Sequence, residues 1–160
     1  RYCHIDNYRI MLIQTDGACL DNGGQGGRIP RAGAAFVYGP PKMADSGIKE
    51  ITLEPENATS NRAELIAVIE ALKYSKEWDI DCDKLVIATD SEYVVKGSTE
   101  WCREWAMRGW RTSSGEPVKN KDLWDSLIDE ILGHKFCEVM FWKIPREWNS
   151  KADAAAKRAA

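Results

Sequence analysis

Three β-leaning runs precede the first helical pattern in this chain, and from there strand and helix alternate. Ile10 to Thr15 is an apolar run closed by Asp16-Gly17. A Gly- and Pro-rich loop from Asp21 to Pro30 leads into a second run, Gly33 to Tyr38, which Pro40-Pro41 ends. Ile48 to Leu53 then alternates apolar with polar residues. This spacing predicts three consecutive antiparallel strands, the third half-buried. From Asn61 the period changes: Leu65, Val68, Ile69 and Leu72 fall at i, i+3, i+4 and i+7, one stripe of an amphipathic helix. Lys84 to Thr89 reads as a short, buried strand with a helix opening at Ser91. Helical pieces are expected from about Ser98 to Met107 and from Asn120 to Leu132, with a Gly/Ser turn between them. Cys137 to Ile144 is a fifth strand, and an Ala-rich helix follows from Asn149. The order predicts an α/β protein with a five-stranded mixed sheet, three antiparallel strands and then parallel ones, flanked by helices.

At 160 residues the chain is expected to form one domain over 1–160. Its hydrophobic fraction of 44% and charged fraction of 29% are those of an ordinary soluble protein. No apolar run approaches the ~20 residues of a membrane span, so no membrane partner is expected. Cys3, Cys19, Cys82, Cys102 and Cys137 are scattered, with no Cys-x-x-Cys pair. They favour neither a zinc site nor a disulfide framework, and a reducing, intracellular compartment suits them. The chain opens on Arg1 rather than Met, which leaves room for an upstream targeting segment. A net charge of −3 argues weakly against a polyanionic partner, but metal-bound carboxylates would change that balance.

Four acids stand in separate contexts. Asp16 and Asp90 each end a predicted strand, Glu64 lies at the edge of the apolar helical stripe, and Asp153 lies in the first turn of the last helix. In α/β sheets, ligands gather beyond the carboxyl ends of the strands, so Asp16 and Asp90 can be neighbours despite their separation. Several carboxylates on one pocket repel each other unless a hard divalent cation sits among them. Taken singly, each has a local alternative. Glu64 follows Asn61 by three and Asp153 follows Ser150 by three, the spacing of a helix cap and its partner. Asp-Gly and Asp-Ser are also common turn dipeptides. Four acids at four predicted element edges make the metal site the better reading.

Thr15-Asp16-Gly17-Ala18-Cys19 with Asn22, Thr59-Ser60-Asn61-Arg62-Ala63-Glu64, Thr89-Asp90-Ser91 and Asn149-Ser150-Lys151-Ala152-Asp153 follow one another along the chain. In that order they closely resemble the signature blocks of type 1 ribonuclease H. The resemblance runs from about Met11 to Ala160 and leaves residues 1–10 outside the recognisable core. It implies the ribonuclease H-like fold and an endonuclease cutting the RNA strand of an RNA/DNA hybrid, leaving 5′-phosphate and 3′-hydroxyl ends. It further implies that Asp16, Glu64, Asp90 and Asp153 are catalytic and carry two Mg²⁺ ions, with Mn²⁺ as an alternative. One ion would activate a water and the other would stabilise the leaving 3′ oxygen.

The stretch Trp101 to Asn120 resembles the family's substrate-handling protrusion. Arg103, Arg108, Arg111, Lys119 and Lys121 make it locally basic. Trp101 and Trp105 stand one helical turn apart. The resemblance favours contact with the DNA strand for Trp105 and a mixed packing and contact role for Trp101, whereas the spacing alone reads as a core stripe. By matched position, Thr59 and Asn120 belong to a pocket for a DNA phosphate, with Arg111, Thr112 and Ser113 nearby. Cys19, Asn22, Ser60 and Asn61 match positions lining the RNA strand.

One departure is plain. Many relatives have a His-containing, Gly-rich loop before the final Asp, where this chain has the shorter Ile144-Pro145-Arg146-Glu147-Trp148-Asn149. Arg146 or Glu147 is a candidate substitute for that histidine, and a surface ion pair is the competing reading. His134, at a predicted helix end, is expected to cap. Two other functional readings stand beside the free-standing monomeric nuclease. One is the same domain within a reverse transcriptase or retroelement polyprotein, and the other is a hybrid-binding module with little catalysis.

Overall fold

The structure, a computed structural model, describes residues 3–5, 8–20, 29–39, 47–77, 82–135 and 137–160. Asn22 lies outside the described residues. In chain order the elements are β1 (Cys3–Ile5), β2 (Tyr8–Leu20), β3 (Arg31–Tyr38), β4 (Gly47–Leu53), α1 (Ser60–Lys76), β5 (Lys84–Thr89), α2 (Glu92–Lys96), α3 (Cys102–Met107), α4 (Lys121–Gly133), β6 (Glu138–Lys143) and α5 (Ser150–Ala159). A π-helical turn, Gly97–Trp101, joins α2 to α3.

The sheet runs β4-β3-β2-β5-β6. β2 to β4 pair antiparallel, while β5 and β6 add in parallel, so the expected five-stranded mixed sheet is present. A short sixth strand was not anticipated: β1 pairs antiparallel with the start of β2, Cys3 opposite Ile10. Three residues carry too little periodicity for that pairing to be read from the sequence.

The larger difference concerns Asp16-Gly17, which does not end a strand. β2 continues through it to Leu20 and keeps its register with β3 throughout. The glycine serves a different purpose. A Cβ at position 17 would stand 2.3 Å from the Glu64 backbone nitrogen, so its absence lets α1 settle directly on the strand. Gly33 does the same for α5, where a Cβ would lie 2.4 Å from the Ala156 carbonyl oxygen. Gly33 pairs with Ala18, the residue after Gly17, and successive strand residues face opposite sides. The two helices therefore cover opposite faces of the sheet, with α4 packed on α1.

Between α1 and the sheet lie Ile13, Phe36, Leu65, Val68, Leu72, Leu85 and Ile87, all buried. On the other side Ala35, Ala155 and Ala156 make a thin, all-alanine contact, as close helix approach requires. No helix among the described residues is long and apolar enough to cross a membrane.

Candidate active site

Asp16 is carried inside β2, opposite Ala35 of β3. The parallel ladder between β2 and β5 ends at Gln14 opposite Ala88. Beyond it the two strands part, and Asp90 follows directly on Thr89, the last residue of β5. Asp16 therefore faces the crevice as expected, although the crevice opens beside a continuing strand rather than at its end. Glu64 reaches the same place because Gly17 brings the α1 backbone onto β2.

The capping alternatives do not hold for Glu64 and Asp153. Thr59, not Asn61, caps α1, its hydroxyl accepting from the Arg62 amide at 3.4 Å. At α5 the residue in the N-cap position is Asn149, whose side chain makes no capping bond. Instead its Nδ2 donates to the Thr15 carbonyl at 2.9 Å and to Asp90 Oδ1 at 2.8 Å. Asn149 is fully buried and ties β2, the end of β5 and the start of α5 together. The sequence alone assigns it no role, because its partners Thr15 and Asp90 stand 134 and 59 positions away.

The electrostatics of the crevice are unbalanced. Burial pushes the Asp16 carboxyl up to about 8, helped by the charge of Asp90 and a hydrogen bond to it, then by Glu64 and Asp153. Burial and Asp90 likewise raise Glu64 to about 7, partly offset by Arg146. Asp153 goes the other way: Lys157 bonds its Oδ2 at 2.7 Å, Arg146 lies 3.4 Å from its Oδ1, and both hold it below the usual carboxylate range. Arg146 also stands 4.0 Å from Asp90 Oδ2. It is thus the cation of the short loop that meets the acids, though at 74% side-chain exposure each pairing contributes little.

Buried polar atoms normally find partners. Among the described residues four buried side-chain atoms do not, and Thr15 Oγ1, Glu64 Oε2 and Asn149 Oδ1 all belong to this corner. As the side chains stand, no three His, Cys, Asp or Glu among the described residues enclose one point tightly enough to grip an ion. The donor set nonetheless fits a hard divalent cation: oxygen ligands only, an orphaned carboxylate oxygen, and two carboxyls whose charge the protein alone disfavours.

The residues expected to touch substrate are placed unevenly. The Cys19 thiol donates to the Ala58 carbonyl at 3.2 Å, joining the end of β2 to the approach to α1. Ser60 and Asn61 form the first turn of α1, with Asn61 exposed. Asn120 adopts a left-handed conformation, φ 57°, and its Nδ2 donates to the Tyr93 hydroxyl at 3.2 Å. Arg62 connects the two sides of this corner. Its guanidinium donates to Asn57 Oδ1 at 2.9 Å, to Asn120 Oδ1 at 3.4 Å and to both oxygens of Asp122 at 3.0 and 2.6 Å. In the sequence Arg62 stands within a motif with no role of its own. Its fork geometry becomes informative only once α4 lies beside α1.

In the handle, the tryptophans pack first on one another. Trp105 meets Trp124 edge-on with centroids 5.5 Å apart, Trp101 at 5.8 Å and Trp110 at 6.3 Å. Trp124 is fully buried under Gly97, where a Cβ would strike its ring at 2.0 Å. Trp101 and Trp105 are half-buried, so each keeps one part on the surface. Arg111 and Thr112 brace their own turn: Arg111 bonds the Gly115 carbonyl at 2.8 Å, and the Thr112 and Ser114 hydroxyls lie 2.9 Å apart. Ser113 is exposed on that turn. His134 follows α4, where its amide donates to the Ile131 carbonyl at 3.1 Å, and its ring lies 3.1 Å from the Leu72 carbonyl.

A mixed sheet that gathers acids where its parallel strands part suits a hydrolase working with divalent cations. Residues 8–160 match the family model described as RNase H. The chain is 48% identical over 126 residues to the ribonuclease H of Hahella chejuensis, a match covering 79% of this chain and 76% of that one. It is 40% identical to the ribonuclease H of Pseudomonas entomophila over 152 residues, 91% of this chain and 90% of that one. Among solved structures, LC9-RNase H1, described as a type 1 RNase H with the type 2 active-site motif, superimposes with TM-score 0.66 at 30% identity, covering 94% of this chain and 72% of that one. LC11-RNase H1, solved in complex with an RNA/DNA hybrid, shares the fold with TM-score 0.63 at 21% identity, covering 92% of this chain and 94% of that one. The chain belongs to the ribonuclease H family.

Proposed function

We propose that this chain is an endonuclease that hydrolyses the RNA strand of RNA/DNA hybrids, leaving 5′-phosphate and 3′-hydroxyl ends. Asp16, Glu64, Asp90 and Asp153 would hold two divalent cations, Mg²⁺ or in its place Mn²⁺. The carrying observation is the meeting of Asp16 with Asp90, Glu64 and Asp153 in one crevice, where burial and the neighbouring carboxylates disfavour the charges of Asp16 and Glu64. Bound divalent cations supply what the protein lacks there, positive charge that acidifies water and stabilises a leaving oxygen.

The chain's own residues do the positioning. Asn149 holds one Asp90 oxygen and thereby orients the carboxylate. Arg146 and Lys157 flank Asp153 and keep it ionised. Arg62 fixes Asn120 between α1 and α4, which supports the reading of Thr59 and Asn120 as a grip for a DNA phosphate. The exposed Arg103, Arg108 and Lys119 give the handle a cationic surface despite the overall charge, and the free parts of Trp101 and Trp105 suit stacking on DNA. RNA would be distinguished through its 2′-hydroxyls at the Cys19, Ser60 and Asn61 side.

The test is cleavage of end-labelled RNA/DNA hybrid, RNA duplex, DNA duplex and single-stranded RNA, each with Mg²⁺ or EDTA. Metal-dependent cutting of RNA in the hybrid alone is expected. Intact hybrid binding without cutting would replace this reading with that of a binding module.

A further inference from the structure

At the end of the sheet remote from the acids, two cysteines meet. Cys82 lies in the bend entering β5 and Cys137 immediately precedes β6, with their sulfurs 2.7 Å apart and 55 positions between them in the chain. Both are free thiols, half-buried and packed against the main core. The backbone holds them there: β5 and β6 are in register from Lys84 opposite Glu138, and the Glu138 amide donates to the Asp83 carbonyl at 2.9 Å. Continued one residue outward, that register sets Cys137 opposite Asp83 and makes Cys82 its diagonal neighbour, where the two sulfurs meet.

We propose that Cys82 and Cys137 are a covalent modification site, an intramolecular disulfide formed by a disulfide oxidant such as oxidised glutathione, which locks β6 onto β5. β6 is an edge strand whose partner among the described residues is β5, so a bond at its start secures that edge of the sheet. The chemistry balances. The Cys82 thiolate attacks one sulfur of the oxidant, breaking its S–S bond and releasing one thiolate that takes up a proton. Cys137 gives its proton to solvent and attacks the Cys82 sulfur, expelling the second glutathione thiolate. Two protein thiols are oxidised and one glutathione disulfide is reduced. Burial, then the hydrogen bond and charge of Cys82, raise the Cys137 thiol above its ordinary range, which keeps Cys137 protonated until the second step.

The test is incubation of the whole chain, and of a Cys3→Ser/Cys19→Ser/Cys102→Ser variant, with oxidised glutathione under native conditions, followed by acid quench, alkylation and peptide mapping. Both proteins should lose two alkylatable thiols and yield one linked peptide pair containing residues 82 and 137. Their Tm should rise by on the order of 10 °C and fall back on adding dithiothreitol. A Cys82→Ser chain should give neither the link nor the rise. Retention of every thiol, a link through other cysteines or between chains, arrest at the glutathione adduct, or an unraised Tm would each overturn the proposal.

Discussion

The four carboxylates come from β2, α1, the end of β5 and α5, whereas the rings of the handle come from the single stretch between Tyr93 and Trp124. The acids repel each other and leave buried atoms unpartnered, while the rings satisfy each other and Trp124 and Asn120 share the Tyr93 hydroxyl as their acceptor. A region that opposes its own formation must be imposed by the rest of the fold, and here that is done by Gly17, Asn149 and the parting of β2 from β5. The handle holds itself in shape. Residues of equally functional aspect in the sequence therefore answer to different tests, activity in one region and stability in the other.

The sharpest separation is expected from Asp90→Asn. It should lower hybrid cleavage by about 10⁴-fold, roughly 5 kcal/mol of barrier, while hybrid affinity measured by fluorescence anisotropy stays within a few-fold. Cutting at the normal rate would mean that the acids are not the working centre. Trp124→Ala should do the reverse, costing about 3–5 kcal/mol of stability in a denaturant melt while the remaining folded protein still cuts. A melt that hardly moves would show that the ring cluster does not hold the handle.

Asp16→Asn probes the cost of the crevice itself. A carboxyl raised to about 8 in the folded chain stabilises it below the unfolded carboxylate pKa, and that stabilisation is lost as pH rises toward 8. In EDTA, wild-type Tm should therefore fall between pH 5 and pH 8. The amide variant should be the more stable at pH 8, by on the order of 2 kcal/mol, with the difference vanishing near pH 5. An unchanged or lower Tm at pH 8 would show that the crevice carries no such repulsion. The smallest effect is expected at the rim: Arg111→Ala should weaken hybrid binding a few-fold and reduce the salt slope of log Kd by about one. No change in slope would remove Arg111 from the phosphate contacts.

Much of this was legible in the chain. Period changes gave the five main strands and the α1 stripe, because long apolar patterns survive packing. The order of the acids, with their flanking residues, gave the crevice. Local signals failed where tertiary contact decides. Asp-Gly reads as a turn, yet here the glycine exists for a helix that no local window contains. Asn149 shows no partner in its own segment, yet it bonds Thr15 from 134 positions away. For Trp101 and Trp105 the spacing alone reads as a core stripe, and the packing of Trp105 on Trp101, Trp110 and Trp124 agrees with it, while the contact with DNA that the resemblance implies rests on the free part of the ring.

The two bonds of Asn149 also set a sequence of events in time. Contacts between β2, β5 and α5 close over long stretches of chain, and such contacts form late. A nascent chain that has emerged only as far as β6 has Asp16, Glu64 and Asp90 but neither the amide that orients Asp90 nor the fourth acid. On the proposed role of the four acids, cutting competence would begin only when α5 docks against Gly33.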